Sequence, residues 1–126
     1  MVFRQVLIVD PVDGEYVADL QTEGERITRI ERANGDFTDI LMPGFVDVHT
    51  HGAFGVNSMS MDYEDLQRWE KELYAEGITY FLPTTVSAYA DEMNKVHEVV
   101  SNYIEKNSLT SVSGIHLEGP YINVAK

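Results

Sequence analysis

Two histidines that stand two residues apart are the first groups in the sequence that point to chemistry. His49 and His51 end the stretch Leu41–Gly52, which reads LMPGFVDVHTHG. After the Pro43-Gly44 turn signal the run is short, apolar and β-branched, which predicts a buried strand. Side chains alternate across a strand, so both imidazoles share one side with Asp47. Because their Cα atoms are about 6.5–7 Å apart, the two rings can converge on one metal ion.

The other side of this strand is apolar and favours a location under helices. Val46 and Val48 alternate with the polar residues, so we expect helices to cover them while the polar end opens into a site. A pair of histidines at this spacing is weak evidence by itself, and on spacing alone two structural histidines near a strand end are the favoured explanation. The position favours a site, because active sites of parallel α/β folds lie at the carboxyl ends of strands.

A second polar strand end occurs in the stretch GIHLEGP, residues 114–120. Alternation places His116 and Glu118 on one face. Glu118 lies at the carboxyl end of the predicted strand, where Gly119-Pro120 breaks it. A buried carboxylate is costly unless it is paired or bound to metal, so Glu118 either binds an ion or pairs with an Arg or Lys.

Two imidazoles and one carboxylate form a donor set that suits Zn²⁺, Fe²⁺ or Mn²⁺. The chemistry that such an ion supports is the attack of metal-activated water on a polarised carbonyl. Asp47 and His116 are candidates to orient the ligands through hydrogen bonds, although Asp47 is equally a residue that only begins the strand. Thr84 and Thr85 end a second strand on the same side; their hydroxyls fit substrate contact or capping of the following loop, of which we favour capping. His97, in the middle of a predicted helix, is expected to be structural.

The first 42 residues have a β pattern. Turn signals separate four short runs, and Asn34-Gly35 is a strong hairpin signal before the fourth. We therefore predict a small antiparallel sheet without chemistry, with strands at 2–9, 16–21, around 27–30 and at 37–42.

After Pro43 strands alternate with helices. Helix 62–76 has an apolar stripe of Leu66, Trp69 and Leu73, and its many acids are expected to form a solvated face. The other predicted elements are strand 78–82, helix 90–107 and strand 114–118. This order predicts a parallel sheet with right-handed crossovers.

The composition excludes several classes of protein. A net charge of −12 argues against nucleic acid or an anionic membrane as partner, and a phosphorylated substrate would need a local basic pocket that the sequence does not reveal. The absence of cysteine excludes disulfides and zinc sites built on sulfur. With no secretory signal and no long apolar run, a soluble cytoplasmic protein is expected. The 126 residues are fewer than a large enzyme barrel of about 250 needs.

The motifs at these positions resemble a known family. PGFVDVHTHG, residues 43–52, resembles the first barrel strand of the amidohydrolase superfamily. GIHLEGPYIN, residues 114–123, resembles the third-strand motif of the N-acetylglucosamine-6-phosphate deacetylases, and GITYFLPTTVS, residues 77–87, resembles their second strand. The resemblance extends over residues 1–126 in the right order and spacing.

The resemblance implies an α/β fold, namely the N-terminal part of a (β/α)8 TIM barrel preceded by part of a small β-sandwich domain. Residues 1–43 would form the partial sandwich, and residues 44–126 the first three βα units. The implied reaction is deacetylation of N-acetylglucosamine 6-phosphate, a phosphorylated amino sugar, with one or two divalent ions, Zn or Fe. Glu118 corresponds to the family's metal ligand, and His49 and His51 correspond to its first-strand pair. The full-length protein is expected to be a cytoplasmic homodimer.

Most of the barrel that this family needs lies outside these residues. Two further histidine ligands, the catalytic aspartate and the groups that bind phosphate are expected beyond residue 126. Tyr121–Lys126 is predicted to be a loop that leads into a further part of a longer protein, or towards a second chain. We therefore expect residues 1–126 alone to be inactive. The alternatives are another amidohydrolase that acts on a cyclic amide, which Glu118 disfavours, and a non-catalytic fragment that binds no metal.

Overall fold

The computed structural model describes residues 1–123 and residue 125. The chain divides into two compact units, Met1–Pro43 and Gly44–Lys126. Val124 and Lys126, which belong to the loop predicted at residues 121–126, lie outside the described residues. Neither α-helix among the described residues is long and apolar enough to cross a membrane.

The first unit is a sheet of four strands, which are β1 (Val2–Asp10), β2 (Gly14–Glu23), β3 (Arg26–Arg32) and β4 (Ile40–Leu41). Their order in the sheet is β3-β2-β1-β4. Apolar side chains at alternate positions of β1 and β2 form a small core, since Val6, Ile8, Ala18 and Leu20 are buried.

The hairpin predicted at Asn34-Gly35 is wrong. β4 pairs in parallel with β1 and lies at the opposite side of the sheet from β3. β3 pairs with β2, and the chain between β3 and β4 crosses to the other edge of β1, with Gly35 in a left-handed conformation at φ 127°. The sheet is therefore mixed, and the strand predicted at residues 37–42 shortens to Ile40–Leu41.

The second unit begins with the predicted strand–helix–strand–helix alternation, which is confirmed. The elements are β5 (Phe45–Thr50), α1 (Tyr63–Ala75), β6 (Ile78–Pro83) and α2 (Ala90–Lys106). β5 and β6 pair in parallel. Asp62 caps α1 by accepting the backbone N–H of Asp65 (2.8 Å), and Gly77 follows its end at φ 80°.

The strand predicted at residues 114–118 is not a continuous strand. The segment from residue 112 to 118, called here the third segment, meets β6 and its end in two isolated parallel bridges, Phe81 with Val112 and Thr84 with His116. Gly114, at φ 151°, interrupts the regular pairing between them. Backbone hydrogen bonds hold this segment at the two bridges, whereas the backbone N–H of Glu118 bonds to a side chain, the hydroxyl of Thr85.

The core of the second unit lies between the two helices and β6. Trp69 packs against Phe81 with ring centroids 5.1 Å apart, and the predicted stripe of α1 is buried. Because α1 packs on β6 and α2, Val46 and Val48 of β5 are 62% and 52% exposed. The expected helical cover over these two valines is therefore absent from the described residues.

Glu70 contradicts the prediction that the acids of α1 form a solvated face. Its side chain is buried and accepts hydrogen bonds from the hydroxyls of Tyr103 (2.5 Å) and Thr110 (2.6 Å) and from the N–H (2.6 Å) and hydroxyl (2.9 Å) of Ser111. Burial by itself raises the pKa of Glu70, but these hydrogen bonds outweigh it and leave the pKa below its ordinary value. The carboxylate thus ties α1 to the second helix and to the residues directly before the third segment.

Candidate metal centre

Three side chains from two separate strand ends meet at one point in the second unit. His49 Nε2 lies 3.2 Å from His51 Nε2 and 3.1 Å from an Oε2 atom of Glu118. The same Glu118 oxygen lies 3.3 Å from His51 Nε2. The two histidines are carried by the end of β5 and by the residue that follows it, whereas the carboxylate ends the third segment. The structure thus brings together the three residues that the sequence predicts as ligands.

The spacing of these three donor atoms fits a small divalent cation. Ligands at about 2.0–2.1 Å around a tetrahedral Zn²⁺ lie about 3.3–3.4 Å from one another. The three observed separations of 3.1–3.3 Å are close to that value. Among residues 1–123 and 125, no other group of His, Asp and Glu has donor atoms that converge in this way.

The orientation of the His51 ring also favours a cation. His51 Nδ1 lies 3.2 Å from the carbonyl oxygen of Thr84, so Nδ1 carries the proton and donates it. In the neutral ring Nε2 then carries a lone pair, and a Glu118 carboxylate oxygen lies 3.3 Å from it. Two acceptors at this distance repel each other unless a cation or a proton lies between them.

Asp47 and His116 contact the backbone beside the three donors. Asp47 Oδ1 accepts the backbone N–H of His49 (3.1 Å). The Nδ1 atom of His116 donates to the carbonyl of Val48 (2.6 Å), and the His116 ring lies 4.6 Å from the His49 ring between centroids. Both residues therefore act on the strand that carries His49. Their predicted role in orienting the ligands stays a prediction.

Thr84 and Thr85 have a role that sequence reasoning missed. Both are fully buried, and their hydroxyls bond to neighbouring strand ends rather than capping the following loop. The signal in the sequence was a pair of hydroxyl residues at the end of the strand between the two ligand-bearing segments. The N–H groups that these two hydroxyls accept, those of Thr50 and Glu118, lie more than thirty residues away along the chain, so the sequence pattern alone does not reveal these contacts.

Gly52 fixes the backbone directly after His51. Its φ is 137°, and a Cβ atom there would lie 2.1 Å from the carbonyl oxygen of Val56. We therefore expect Gly52→Ala to lower the free energy of unfolding by about 2–4 kcal/mol, since backbone strain and a clash with backbone act together. Chemical denaturation followed by tryptophan fluorescence measures this, because Trp69 is the single tryptophan.

Gly55 in the same loop is the matched control. It also has a positive φ, 80°, but a Cβ atom there meets nothing within 4 Å. Gly55→Ala therefore tests the strain alone, at about 1–2 kcal/mol. Equal losses for the two variants would show that the clash with Val56 has no effect.

Comparisons with known proteins agree with the predicted resemblance. Residues 40–126 match the sequence profile of the amidohydrolase family. An N-acetylglucosamine-6-phosphate deacetylase of Lysinibacillus sphaericus is 32% identical over 98% of this chain and 34% of its own length. That of Bacillus subtilis is 29% identical over 88% of this chain and 29% of its own length. The chain thus spans about a third of the length of these relatives.

A solved structure agrees as well. The crystal structure of the N-acetylglucosamine-6-phosphate deacetylase from Thermotoga maritima superposes with a TM-score of 0.92 and 42% identity over 99% of this chain and 34% of that one. This match confirms the predicted fold class, the N-terminal part of a TIM barrel preceded by part of a small β-sandwich domain. The resemblance to the deacetylases is confirmed as well. With a profile match over residues 40–126 and these relatives, the chain belongs to the amidohydrolase family.

Proposed function

We propose that this chain supplies the metal-binding part of a hydrolase that removes acetate from N-acetylglucosamine 6-phosphate. The observation that carries the proposal is the convergence of His49, His51 and Glu118 within 3.1–3.3 Å of one another. The names of the related proteins support the substrate, a phosphorylated amino sugar.

The chain's own residues have separate tasks in this proposal. His49, His51 and Glu118 hold one divalent ion, for which Zn²⁺ and Fe²⁺ suit the donor set. When bound, such an ion polarises a carbonyl and activates water. The carbonyl of Thr84 keeps the His51 proton on Nδ1, which leaves Nε2 free to bind. The general base, an aspartate, is expected outside residues 1–126, as are the groups that bind the phosphate.

A chimeric enzyme tests this proposal directly. The chain would replace the matching third of the Thermotoga maritima deacetylase, and acetate release from N-acetylglucosamine 6-phosphate would be measured with zinc present. We expect the chimera to hydrolyse the substrate. Its Glu118→Gln variant should lose at least about 100-fold in rate, because changes even beyond the direct ligands commonly cost 10–100-fold.

The chimera must be folded for the result to count. Circular dichroism and bound zinc, measured per chain, provide that control. A folded, zinc-loaded chimera that releases no acetate would contradict the proposed function. The 126-residue chain alone is expected to release none, since three donors without a base do not complete the site, and measurable hydrolysis by it would refute that expectation.

The cytoplasmic location and the homodimer of the full-length protein stay predictions. The substrate's phosphate needs cationic partners, and the chain has 9 Lys and Arg against 21 Asp and Glu. We infer that the cationic groups which neutralise the phosphate lie outside these residues.

A further inference from the structure

The strand between the two ligand-bearing segments provides no metal donor, yet its end contacts both of them. β6 leads directly into Thr84 and Thr85, and both side chains are fully buried. Burying a hydroxyl is unfavourable unless its hydrogen bonds are made. The partners of these two hydroxyls therefore show what the pair holds in place.

Thr84 fixes the end of β5 through three hydrogen bonds, and a fourth reaches Ser58 in the loop that follows. Its N–H donates to the carbonyl of Thr50 (2.8 Å), and its hydroxyl oxygen accepts the N–H of Thr50 (2.9 Å). Its carbonyl accepts from His51 Nδ1 (3.2 Å) and from the hydroxyl of Ser58 (2.6 Å). Thr50 stands between the two histidines, so Thr84 sets both the backbone and the ring orientation of this ligand pair.

Thr85 holds the third segment, which carries Glu118, through its backbone and its hydroxyl. Its N–H donates to the carbonyl of His116 (3.0 Å). Its hydroxyl oxygen accepts the backbone N–H of Glu118 (3.0 Å) and lies 3.3 Å from the Glu118 carbonyl. Since the third segment meets β6 only through two isolated bridges, the nearer one at His116, a side chain replaces the missing backbone pairing at Glu118.

We propose that Thr84 and Thr85 are positioning residues that set the distance between the histidines and Glu118. This inference rests on the proposed metal centre and adds the element that sets its spacing. Two adjacent residues directly after β6 hold the two ligand segments, so the 3.3 Å separation between His51 Nε2 and Glu118 Oε2 depends on them. Thr85 contacts Glu118 itself through its hydroxyl alone, whereas Thr84 holds β5 through both its backbone and its side chain. The role of Thr85 is therefore the more easily tested by substitution.

Removing that hydroxyl tests the proposal. Thr85→Val keeps the branched shape and loses the hydroxyl, whereas Thr85→Ser keeps the hydroxyl and loses a methyl group. Zinc titration of the 126-residue chain by calorimetry should show an affinity about 10–100-fold weaker for Thr85→Val, the usual range for groups that orient ligands. Thr85→Ser should stay within about threefold of the wild-type chain. Equal zinc affinity of Thr85→Val and the wild-type chain would overturn the proposal.

A second measurement needs no variant and no metal. The N–H of Glu118 should exchange slowly with solvent in the wild-type chain, because the buried Thr85 hydroxyl accepts it. Rapid exchange of this amide would overturn the proposal even if Thr85→Val does not fold. Failure of the wild-type chain to bind zinc would instead contradict the metal centre, and the exchange of this amide would then decide the role of Thr85.

Discussion

Replacing Glu70 by leucine is expected to lower the free energy of unfolding of the second unit by about 3–5 kcal/mol, the range for breaking a buried charged network. The buried carboxylate accepts four hydrogen bonds of 2.5–2.9 Å. Leucine fills similar space but accepts none of them. The N–H of Ser111 is buried and fixed by the backbone, so it cannot turn to another acceptor.

Glu70→Gln removes the negative charge of this side chain but keeps its size and shape, so it measures how much the charge contributes to stability. Its amide oxygen still accepts hydrogen bonds, and we expect a loss of about 1–2 kcal/mol. Glu72→Gln on the same helix is the matched control, because Glu72 is exposed and should change stability by less than about 0.5 kcal/mol. Urea denaturation followed by the fluorescence of Trp69 reports on this unit. Losses no larger than that of the control would show that the network does not stabilise the fold.

The same network predicts a dependence on acid. The pKa of Glu70 is held below its ordinary value by hydrogen bonds that outweigh the effect of burial. A group whose folded pKa is lowered stabilises the protein above its unfolded pKa, about 4.3 for glutamate, and loses that contribution as the pH falls through the folded value. The difference between the wild-type chain and Glu70→Gln should therefore be full at pH 7 and shrink below about pH 4. A difference independent of pH would contradict this account.

Glu70 also shows what the sequence could and could not predict. It stands at the i+4 position of the stripe Leu66, Trp69 and Leu73, so helical periodicity places it at the buried face. Its polarity alone led to the prediction of a solvated face. The donors of its four short hydrogen bonds come from 33 to 41 residues away and are visible only in the folded chain.

The convergence of the three candidate donors was more predictable than its support. Alternation along a strand and the meeting of strand ends in a parallel sheet predict that His49, His51 and Glu118 lie together, and the structure brings them together. The hydroxyl contacts of Thr84 and Thr85 were not predictable, because a threonine at a strand end favours capping of the following loop and its distant partners are visible only in the folded chain.

The pairing of strands in a sheet was the other feature that the sequence did not predict. The Asn34-Gly35 signal describes a local turn, but β4 joins the far edge of β1. A turn residue does not determine which sheet edge is open. The third segment, likewise, has a strand-like sequence but forms only two bridges, because Gly114 adopts a backbone conformation outside the β region.

Glu118→Gln is expected to change stability in opposite directions with and without zinc. Without zinc, the carboxylate lies 3.3 Å from Nε2 of His51, whose Nδ1 atom donates to the carbonyl of Thr84. A glutamine amide can donate to that nitrogen instead, so the variant should be as stable as the wild-type chain or more stable by up to about 1 kcal/mol.

With zinc the order reverses. At a free zinc concentration about 100 times the dissociation constant, binding stabilises the wild-type chain by about 2.7 kcal/mol. A variant whose affinity is at least about 100-fold weaker gains less than about 0.5 kcal/mol at that concentration. Thermal denaturation at fixed zinc, followed by the fluorescence of Trp69, measures both differences, and Glu72→Gln should behave like the wild-type chain in each.

The stability differences between Glu118→Gln and the wild-type chain, measured without and with zinc, distinguish a metal site from a structural cluster. If zinc stabilises the wild-type chain and Glu118→Gln equally, the ion binds elsewhere and Glu118 is not a ligand. If zinc changes neither chain, the histidines and the glutamate are a structural cluster, as expected of a fragment that binds no metal. A loss of zinc stabilisation that also appears for His49→Ala would assign His49 and Glu118 to the same ion, because the loss of either ligand then removes the same stabilisation.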